Sequence, residues 1–298
     1  MILTMIGFGE AAQAMAFGFN EMDSPPDLRA FDVRLVDPVA APALREIAAA
    51  TGVALHARAQ EALNGADIVL ALVPGSAARS VAEEIAPHLA DNQIYIDLSS
   101  TSPGLKMEIG EAIGAGRGHC VEGSIMDAVT PHRHRVPILL AGAEAQRCSE
   151  LMNGIGMVTE AVGPLLGQAS TVKMIRSVMV KGVEALILEA MTAAQIAGVT
   201  DRILDSVNVT FDGLDWHKMT SHYLRRTHEH GLRRVSEMKQ SAGTLRELGI
   251  EPLMSDAIGQ TIARGHAALE AVAYDSVESS DQLLPILAAA ASRPAEAN

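Results

Sequence analysis

The first twenty-two residues constrain the fold more than any other part of the chain. A short apolar run, residues 2–6, is followed at once by the turn Gly7-Phe8-Gly9-Glu10-Ala11-Ala12, and residues 13–22 then have the composition of a helix. Between a strand and a helix, G-x-G-x-x-A is the pattern that holds a dinucleotide pyrophosphate at the positive end of the helix. The structural alternative is a glycine-rich turn without a ligand. The context favours a dinucleotide-binding turn.

The predicted second strand, residues 28–32, ends in an acid about twenty residues beyond the glycine turn, the usual spacing for a ribose-binding carboxylate. A carboxylate at this position accepts hydrogen bonds from the adenosine ribose and repels a 2′-phosphate, so Asp32 favours NAD over NADP. Arg34 is placed to meet a 2′-phosphate instead, and a solvated aspartate at a strand end is the structural alternative. Asp32 and Arg34 are both candidate cofactor-binding residues.

Strand and helix patterns alternate through the first half of the chain. Residues 66–73 form a nearly continuous apolar run, typical of a buried parallel strand, and Pro74 ends it. Further strands are predicted over residues 53–56, 93–98, 119–122 and 136–142. This alternation predicts an α/β fold, a Rossmann doubly wound parallel sheet over residues 1–163, with ligands at the carboxyl ends of its strands.

From Gly163 onward the pattern becomes helical. Residues 168–197 contain no proline and one glycine, which predicts a helix about 45 Å long at a rise of 1.5 Å per residue. Helices are also predicted over residues 202–207, 215–245 and 252–274. Residues 164–298 are therefore expected to form an all-α domain built on a long inter-domain helix. Because so apolar a helix needs burial on several faces, a homodimer is expected.

Composition excludes several classes of partner. The formal net charge of −13 argues against nucleic acid and anionic membranes. The two cysteines, Cys120 and Cys148, provide no disulfide framework and are expected to be small buried side chains in a reducing compartment. No signal peptide is recognisable, and no apolar run reaches membrane-spanning length. We therefore expect a cytoplasmic protein with a small-molecule partner.

Lys173 is the main candidate for catalysis. It lies near the start of the long helix among apolar neighbours, and Arg176, Ser177 and Lys181 share or border its helical face. An ammonium group that is partly desolvated and close to another cation has a lowered pKa, which suits proton exchange near neutrality. A helical lysine is most often a solvated surface residue, so the interpretation depends on the glycine-rich lead-in and the preceding α/β half.

Together these residues resemble the β-hydroxyacid dehydrogenase family, the relatives of 6-phosphogluconate and 3-hydroxyisobutyrate dehydrogenases, over nearly the whole chain. The family's cofactor turn matches residues 7–12, its strand-end Leu-Pro matches Val73-Pro74, and its Ser-Thr-x-x-Pro segment is similar to residues 99–103. Its glycine-rich stretch before the catalytic lysine matches Gly163 and Gly167 through Lys173. The resemblance implies that Lys173 is the general acid/base on a substrate hydroxyl. It also implies a set of cofactor contacts: Gly7, Phe8, Gly9, Glu10, Ala11, Ala12, Val73, Pro74, Ser99 and Thr101.

The predicted substrate residues depart from the family pattern. The family's Asp-x-Pro-Val-Ser-Gly-Gly loop becomes Glu122-Gly123-Ser124-Ile125-Met126-Asp127-Ala128, so Met126 replaces the substrate-binding serine. The asparagine three residues after the lysine becomes Arg176, and the later Lys-Asp pair becomes Ser236-Glu237. The chain is most similar to a branch that carries Gly-Phe-Gly-Glu-Ala-Ala and Lys-Met-x-Arg-Ser motifs. The candidate substrate residues are Ser124, Met126, Asp127, Arg176 and Ser177.

Three functions are compatible with these features. The leading hypothesis is an NAD(P)-dependent oxidoreductase that acts on a hydroxy-acid-type secondary alcohol, with Arg176 near an anionic group. The alternatives are imine reduction on the same fold and nucleotide sensing without catalysis. His132 and His134 lack an evident third ligand, so no metal is expected, and their loop is expected to border the mouth of the active site.

Overall fold

The computed structural model describes residues 1–272 and 282–291. It divides into two compact units, Met1–Lys173 and Met174–Asn298. The last two residues of the helix predicted over 252–274 lie outside the described residues.

The first unit is built on one eight-stranded sheet. Its strands are β1 (Ile2–Ile6), β2 (Asp27–Phe31), β3 (Ala54–His56), β4 (Ile68–Ala71), β5 (Ile94–Asp97), β6 (His119–Ile125), β7 (Pro137–Ala141) and β8 (Val158–Gly163). Their order across the sheet is β3-β2-β1-β4-β5-β6-β7-β8. All neighbours from β3 to β6 are parallel, which confirms the predicted Rossmann-type sheet.

Helices cover both faces of this sheet. They are α1 (Glu10–Asn20), α2 (Ala41–Ala50), α3 (Ala59–Leu63), α4 (Ala78–Ile85), α5 (Pro103–Gly114), α6 (Val129–His132) and α7 (Ala145–Gly154). Alternate residues of β5 enter different cores: Ile94 and Ile96 belong to one apolar cluster and Tyr95 to the other. Burial on two faces explains why a central strand such as β4 is a continuous apolar run in the sequence.

The far edge of the sheet differs from the prediction. β7 runs antiparallel to β6, and β8, which we did not predict, adds a parallel strand beyond it. Parallel neighbours need a crossover of about a dozen or more residues, usually a full helix, whereas the connection from β6 to β7 holds only the single turn of α6 and a short 3-10 turn. The sheet is therefore mostly, not wholly, parallel.

The second unit is helical, as predicted. Its helices are α8 (Gln168–Ile196), which begins in the first unit, α9 (Thr200–Thr210), α10 (Trp216–Glu247), α11 (Leu253–Leu269) and α12 (Leu283–Ala291). The long helix ends within one residue of its predicted end. Asp215 caps α10 by accepting the backbone N–H of Lys218 at 2.9 Å. Among the described residues, no helix combines the length and the apolar character needed to cross a bilayer.

Candidate functional site

The glycine turn lies at the carboxyl end of β1, next to β4. Gly7 has φ +90°, and its N–H donates to the carbonyl of Phe31 at 2.9 Å. A Cβ on Gly7 would lie 2.5 Å from the Leu72 carbonyl oxygen, so glycine is required both for the backbone angle and for the space. Between β1 and β4 the chain order reverses, and ligands of open α/β sheets bind in the crevice at this point.

The start of α1 has the geometry of an anion site. Among the residues that the structure describes, a Cβ on Gly9 would meet no atom within 4 Å, and no side chain caps the helix at this residue. The first-turn N–H groups are therefore not satisfied by a side chain at the cap, and such groups are the donors that a pyrophosphate uses. Ala12 is fully buried, as close packing of the helix on the sheet requires. The exposed carboxylate of Glu10 accepts from the Thr130 hydroxyl at 3.2 Å.

Asp32, predicted to bind the ribose hydroxyls, and Arg34, predicted to meet a 2′-phosphate, form an ion pair with each other. Asp32 accepts from the backbone N–H of Phe8 at 2.8 Å, and from Nε and Nη2 of Arg34 at 2.9 and 2.8 Å. Nη2 also donates to the Phe8 carbonyl at 3.1 Å. Burial raises the pKa of Asp32, but the hydrogen bonds from Arg34 and Phe8 outweigh it, so the pKa lies below its ordinary value. The carboxylate is ionised at neutral pH and fixed to the glycine turn.

The ends of β4 and β5 contribute the next predicted cofactor residues. After β4, Val73 is half-buried and Pro74 is exposed. After β5, the Ser99 hydroxyl donates to Asp97 Oδ2 at 2.9 Å. Thr101 is buried, and within the described part of the chain its hydroxyl has no hydrogen-bond partner. A buried hydroxyl without a partner is what an incoming ligand would satisfy.

Lys106, which sequence reasoning missed, is a buried cation below this segment. Its side chain is 1% exposed, and Nζ donates to Asp97 Oδ2 at 2.7 Å, to the carbonyls of Asp97 and Ser99 at 2.8 Å each, and to the carbonyl of Gly123 at 3.2 Å. The lysine therefore joins the carboxyl end of β5 to the middle of β6. No sequence signal indicated it, because a single lysine in a helix is normally solvated.

Glu122, in the middle of β6 and in register with the last residue of β5, was also missed as a structural contact. It is 1% exposed, and its two carboxylate oxygens accept the backbone N–H groups of Gly167 and Ser170 at the start of α8. The strand that leads into the predicted substrate loop is thus bonded directly to the helix that carries Lys173.

The predicted substrate residues after β6 differ in exposure. Ser124 is buried, Met126 is half-buried with its N–H donating to the Pro137 carbonyl at 2.9 Å, and Asp127 is exposed. Nε2 of His132 lies 3.3 Å from Asp127 Oδ2.

The loop after Asp127 runs along α1. Its basic side chains were expected to border the mouth of the active site, but Arg133 and His134 lie elsewhere. Arg133 pairs with Glu21, and the ring of His134 lies 4.8 Å from that of Phe19. Glu21 and Phe19 are at the C-terminal end of α1, opposite the glycine turn. In the described residues, no group of three His, Cys, Asp or Glu side chains is arranged to hold a metal ion.

On α8, Lys173 is half-buried, Arg176 is exposed, and Ser177 is buried. Nζ of Lys181 lies 3.3 Å from the Ser177 hydroxyl and 2.9 Å from Glu237 Oε2. Burial lowers the pKa of Lys181, although the charge of Glu237 opposes the shift. Glu237 stands where the related dehydrogenases have the aspartate of their Lys-Asp pair, and here it forms an ion pair with Lys181 on α8.

Two family models match parts of the chain. Residues 2–101 match the model described as NADP oxidoreductase, coenzyme F420-dependent. Residues 194–264 match a domain of unknown function, DUF1932. The first match contains the glycine turn and the ends of β2, β4 and β5, and the second lies in the helical unit.

Several solved structures are similar over most of the chain. A conserved hypothetical protein from Sinorhizobium meliloti 1021 is 46% identical, with a TM-score of 0.82, and the match covers 97% of this chain and 96% of that one. A conserved protein of unknown function, whose description reports structural similarity with 3-hydroxyacid dehydrogenases, is 27% identical with a TM-score of 0.73, covering 88% and 96%.

More distant structures show the fold alone. The 3-hydroxyisobutyrate dehydrogenase of Mycobacterium tuberculosis is 17% identical with a TM-score of 0.75, covering 96% of this chain and 98% of that one. An imine reductase from Bacillus cereus is also 17% identical, with a TM-score of 0.61 and coverage of 95% and 97%. The fold is therefore one that oxidoreductases use. With 46% identity over nearly its whole length, the chain belongs to the same family as the Sinorhizobium meliloti protein, and it has the fold of the 3-hydroxyacid dehydrogenases.

Proposed function

We propose that this protein is an NAD(P)-dependent dehydrogenase that acts on the secondary alcohol of a small hydroxy acid. The observation that carries the proposal is the glycine turn at the β1–β4 switch point. Gly7 can only be glycine there, and within the part of the chain that the structure describes there is open space beside Gly9 and no side-chain cap on α1. When bound, the nicotinamide ring supplies or accepts the hydride.

Lys173 is the proposed general acid/base. In the oxidation direction its neutral amine takes the hydroxyl proton of the substrate, and in the reduction direction its ammonium returns a proton to the carbonyl oxygen. Arg176, exposed on the same helix, is the proposed contact for the acid group of the substrate. Ser124, Met126, Asp127 and Ser177 remain candidates for shaping the substrate site.

NAD is the proposed preferred cofactor, because the Asp32 carboxylate is ionised and held at the glycine turn by the N–H of Phe8. A ribose hydroxyl pair would take the place of the Arg34 guanidinium on this carboxylate. The Arg34 side chain is 49% exposed, so it can turn away into solvent. We expect the enzyme to be cytoplasmic and to act on a small-molecule substrate.

The first experiment is a screen of hydroxy acids and the matching keto acids, followed by nicotinamide absorbance. Lys173→Ala should lower turnover by about a hundredfold to ten-thousandfold, the usual contribution of a positioned proton-transfer group. Lys173→Met, which keeps the volume and removes the charge, should have the same effect, and dinucleotide affinity should change little. The exposed Lys239 on α10 provides the control, since Lys239→Met should leave turnover unchanged.

The same assay separates binding from chemistry. Arg176→Ala should raise KM for an anionic substrate more than it lowers kcat, because the contact is present in both the ground state and the transition state. Full turnover in Lys173→Met would disprove the proposed mechanism. Tight dinucleotide binding without hydride transfer to any substrate would favour the nucleotide-sensing alternative.

A further inference from the structure

The start of α8 is capped from the sheet and not by its own sequence. Gly167 precedes the helix with φ +95°, and its carbonyl accepts the first helical hydrogen bond, from the Thr171 N–H at 3.0 Å. In a capping box, side chains at the cap and three residues later satisfy each other's N–H groups. Gly167 has no side chain, and the Ser170 hydroxyl donates to the Gly167 carbonyl at 3.2 Å instead.

Glu122 performs both parts of this cap with one carboxylate. One oxygen accepts the N–H of Gly167 and the other accepts the N–H of Ser170. The charge is placed at the positive end of a helix of 29 residues, where a carboxylate is stabilised. Because the side chain is 1% exposed, water does not replace these bonds. The first turn of α8 is therefore fixed to β6.

The other side of Glu122 is fixed as well. Glu122 pairs in register with Asp97 on β5, and Lys106 ties the next carbonyl, that of Gly123, to Asp97. The carboxyl end of β5, the middle of β6 and the start of α8 thus form one buried network. Lys173 lies three residues after Ser170, less than one turn beyond the capped N–H.

We propose that Glu122 is a positioning residue for Lys173: by capping α8 from β6, it sets the place and direction of the helical turn from which the lysine acts. The inference rests on the proposed function, in which Lys173 exchanges the proton. Glu122 itself does not contact substrate in this scheme. A shift of about 1 Å in a reacting group can reduce turnover by about a hundredfold, so a cap that fixes this turn has a measurable effect.

The test is a double-mutant cycle in the full-length protein, with the hydroxy acid that gives turnover in the screen. Glu122→Gln keeps the shape but sets an amide donor against one of the two N–H groups. It should lower kcat by about a hundredfold in the wild-type background. In the Lys173→Met background, the same change should lower the residual turnover little, because the group that Glu122 positions is already gone. Dinucleotide affinity should stay close to the wild-type value in both.

Two further variants separate positioning from general stability. Asp215→Ala removes a carboxylate cap from α10, which does not carry the lysine, and should leave turnover unchanged. Glu122→Asp keeps the charge with a shorter reach, and it should give a smaller loss that again disappears in the Lys173→Met background. It replaces Glu122→Gln if the latter does not fold.

The outcomes distinguish the two proposals. Equal losses from Glu122→Gln with and without Lys173 would overturn the positioning role, as would normal turnover in Glu122→Gln while Lys173→Met is impaired. Full turnover in Lys173→Met would instead overturn the proposed function, and the positioning role with it.

Discussion

At the scale of single residues, Asp32 and Arg34 form a hydrogen-bonded ion pair with each other when no ligand is bound. The guanidinium donates twice to the carboxylate through Nε and Nη2, at 2.9 and 2.8 Å. A ribose that uses Asp32 must displace these bonds, whereas a 2′-phosphate could meet Arg34 directly. Cofactor choice therefore depends on the balance within one ion pair, not on the acid alone.

This balance can be measured as the ratio of NADP to NAD dissociation constants. Asp32→Ala should lower the ratio, because it removes the ribose acceptor and the repulsion of the phosphate. Arg34→Ala should raise it about tenfold or more, since hydrogen bonds to charged groups contribute about 1.5–3 kcal/mol. Asp37 accepts from the Val39 N–H within its own loop, so Asp37→Ala is the control and should leave the ratio unchanged. A wild-type preference for NADP, maintained in Asp32→Ala, would show that Asp32 does not select the cofactor.

At the scale of elements, α8 and α10 of the second unit are joined by a buried ion pair. Glu184 on α8 is fully buried, accepts from the Thr227 hydroxyl at 2.8 Å, and pairs with Arg234, which is 2% exposed. Burial lowers the pKa of Arg234. Two charges in a helical core stabilise it only while both are present, because either one alone is a desolvated ion.

Glu184→Gln should therefore cost about 3–5 kcal/mol of unfolding free energy, the usual loss when one partner of a buried pair is removed. The measurement is urea unfolding followed by circular dichroism. Glu189→Gln, at an exposed position on the same helix, should change the free energy by no more than about 0.5 kcal/mol. Equal stability of the two variants would mean that Arg234 finds another acceptor or solvent.

Strands, helices and turns were predictable from the sequence where their residue pattern lies within the element itself. The glycine turn, the buried strands and α8 each carry their pattern within a few residues. β8 carries none: Val158–Gly163 is a partly exposed edge strand without an apolar run. The direction of β7 depends on pairing, which composition does not encode. Glu122 and Lys106 were missed for the same reason, since their partners are distant along the chain and single charged residues are usually solvated.

At the scale of the whole molecule, the apolar surface of α8 supports the expected homodimer. Ile175, Met179 and Leu186 lie on one face of the helix by their spacing and are 45%, 71% and 64% exposed. A stripe of large apolar side chains on a helix usually marks a surface that another chain covers.

Sedimentation equilibrium at micromolar concentration should therefore show a dimer. Met179→Lys should weaken it, because association would bury an unpaired charge. Val36→Lys, at a residue 87% exposed in the first unit, is the control and should leave the dimer intact. A stable wild-type monomer at that concentration would contradict the expectation.

The non-local cap has a consequence for how such a chain can be divided and recombined. The last strand of the sheet ends at Gly163, which makes this the obvious point at which to divide the chain. Yet Glu122 lies 45 residues before Gly167, and a fragment that stops at Gly163 would bury its carboxylate with no N–H group to meet it. A fragment that continues through Lys173 keeps both donors. Exchange of the helical half between homologous proteins should therefore be tolerated at a junction inside the long helix, beyond its second turn, better than in the loop before it.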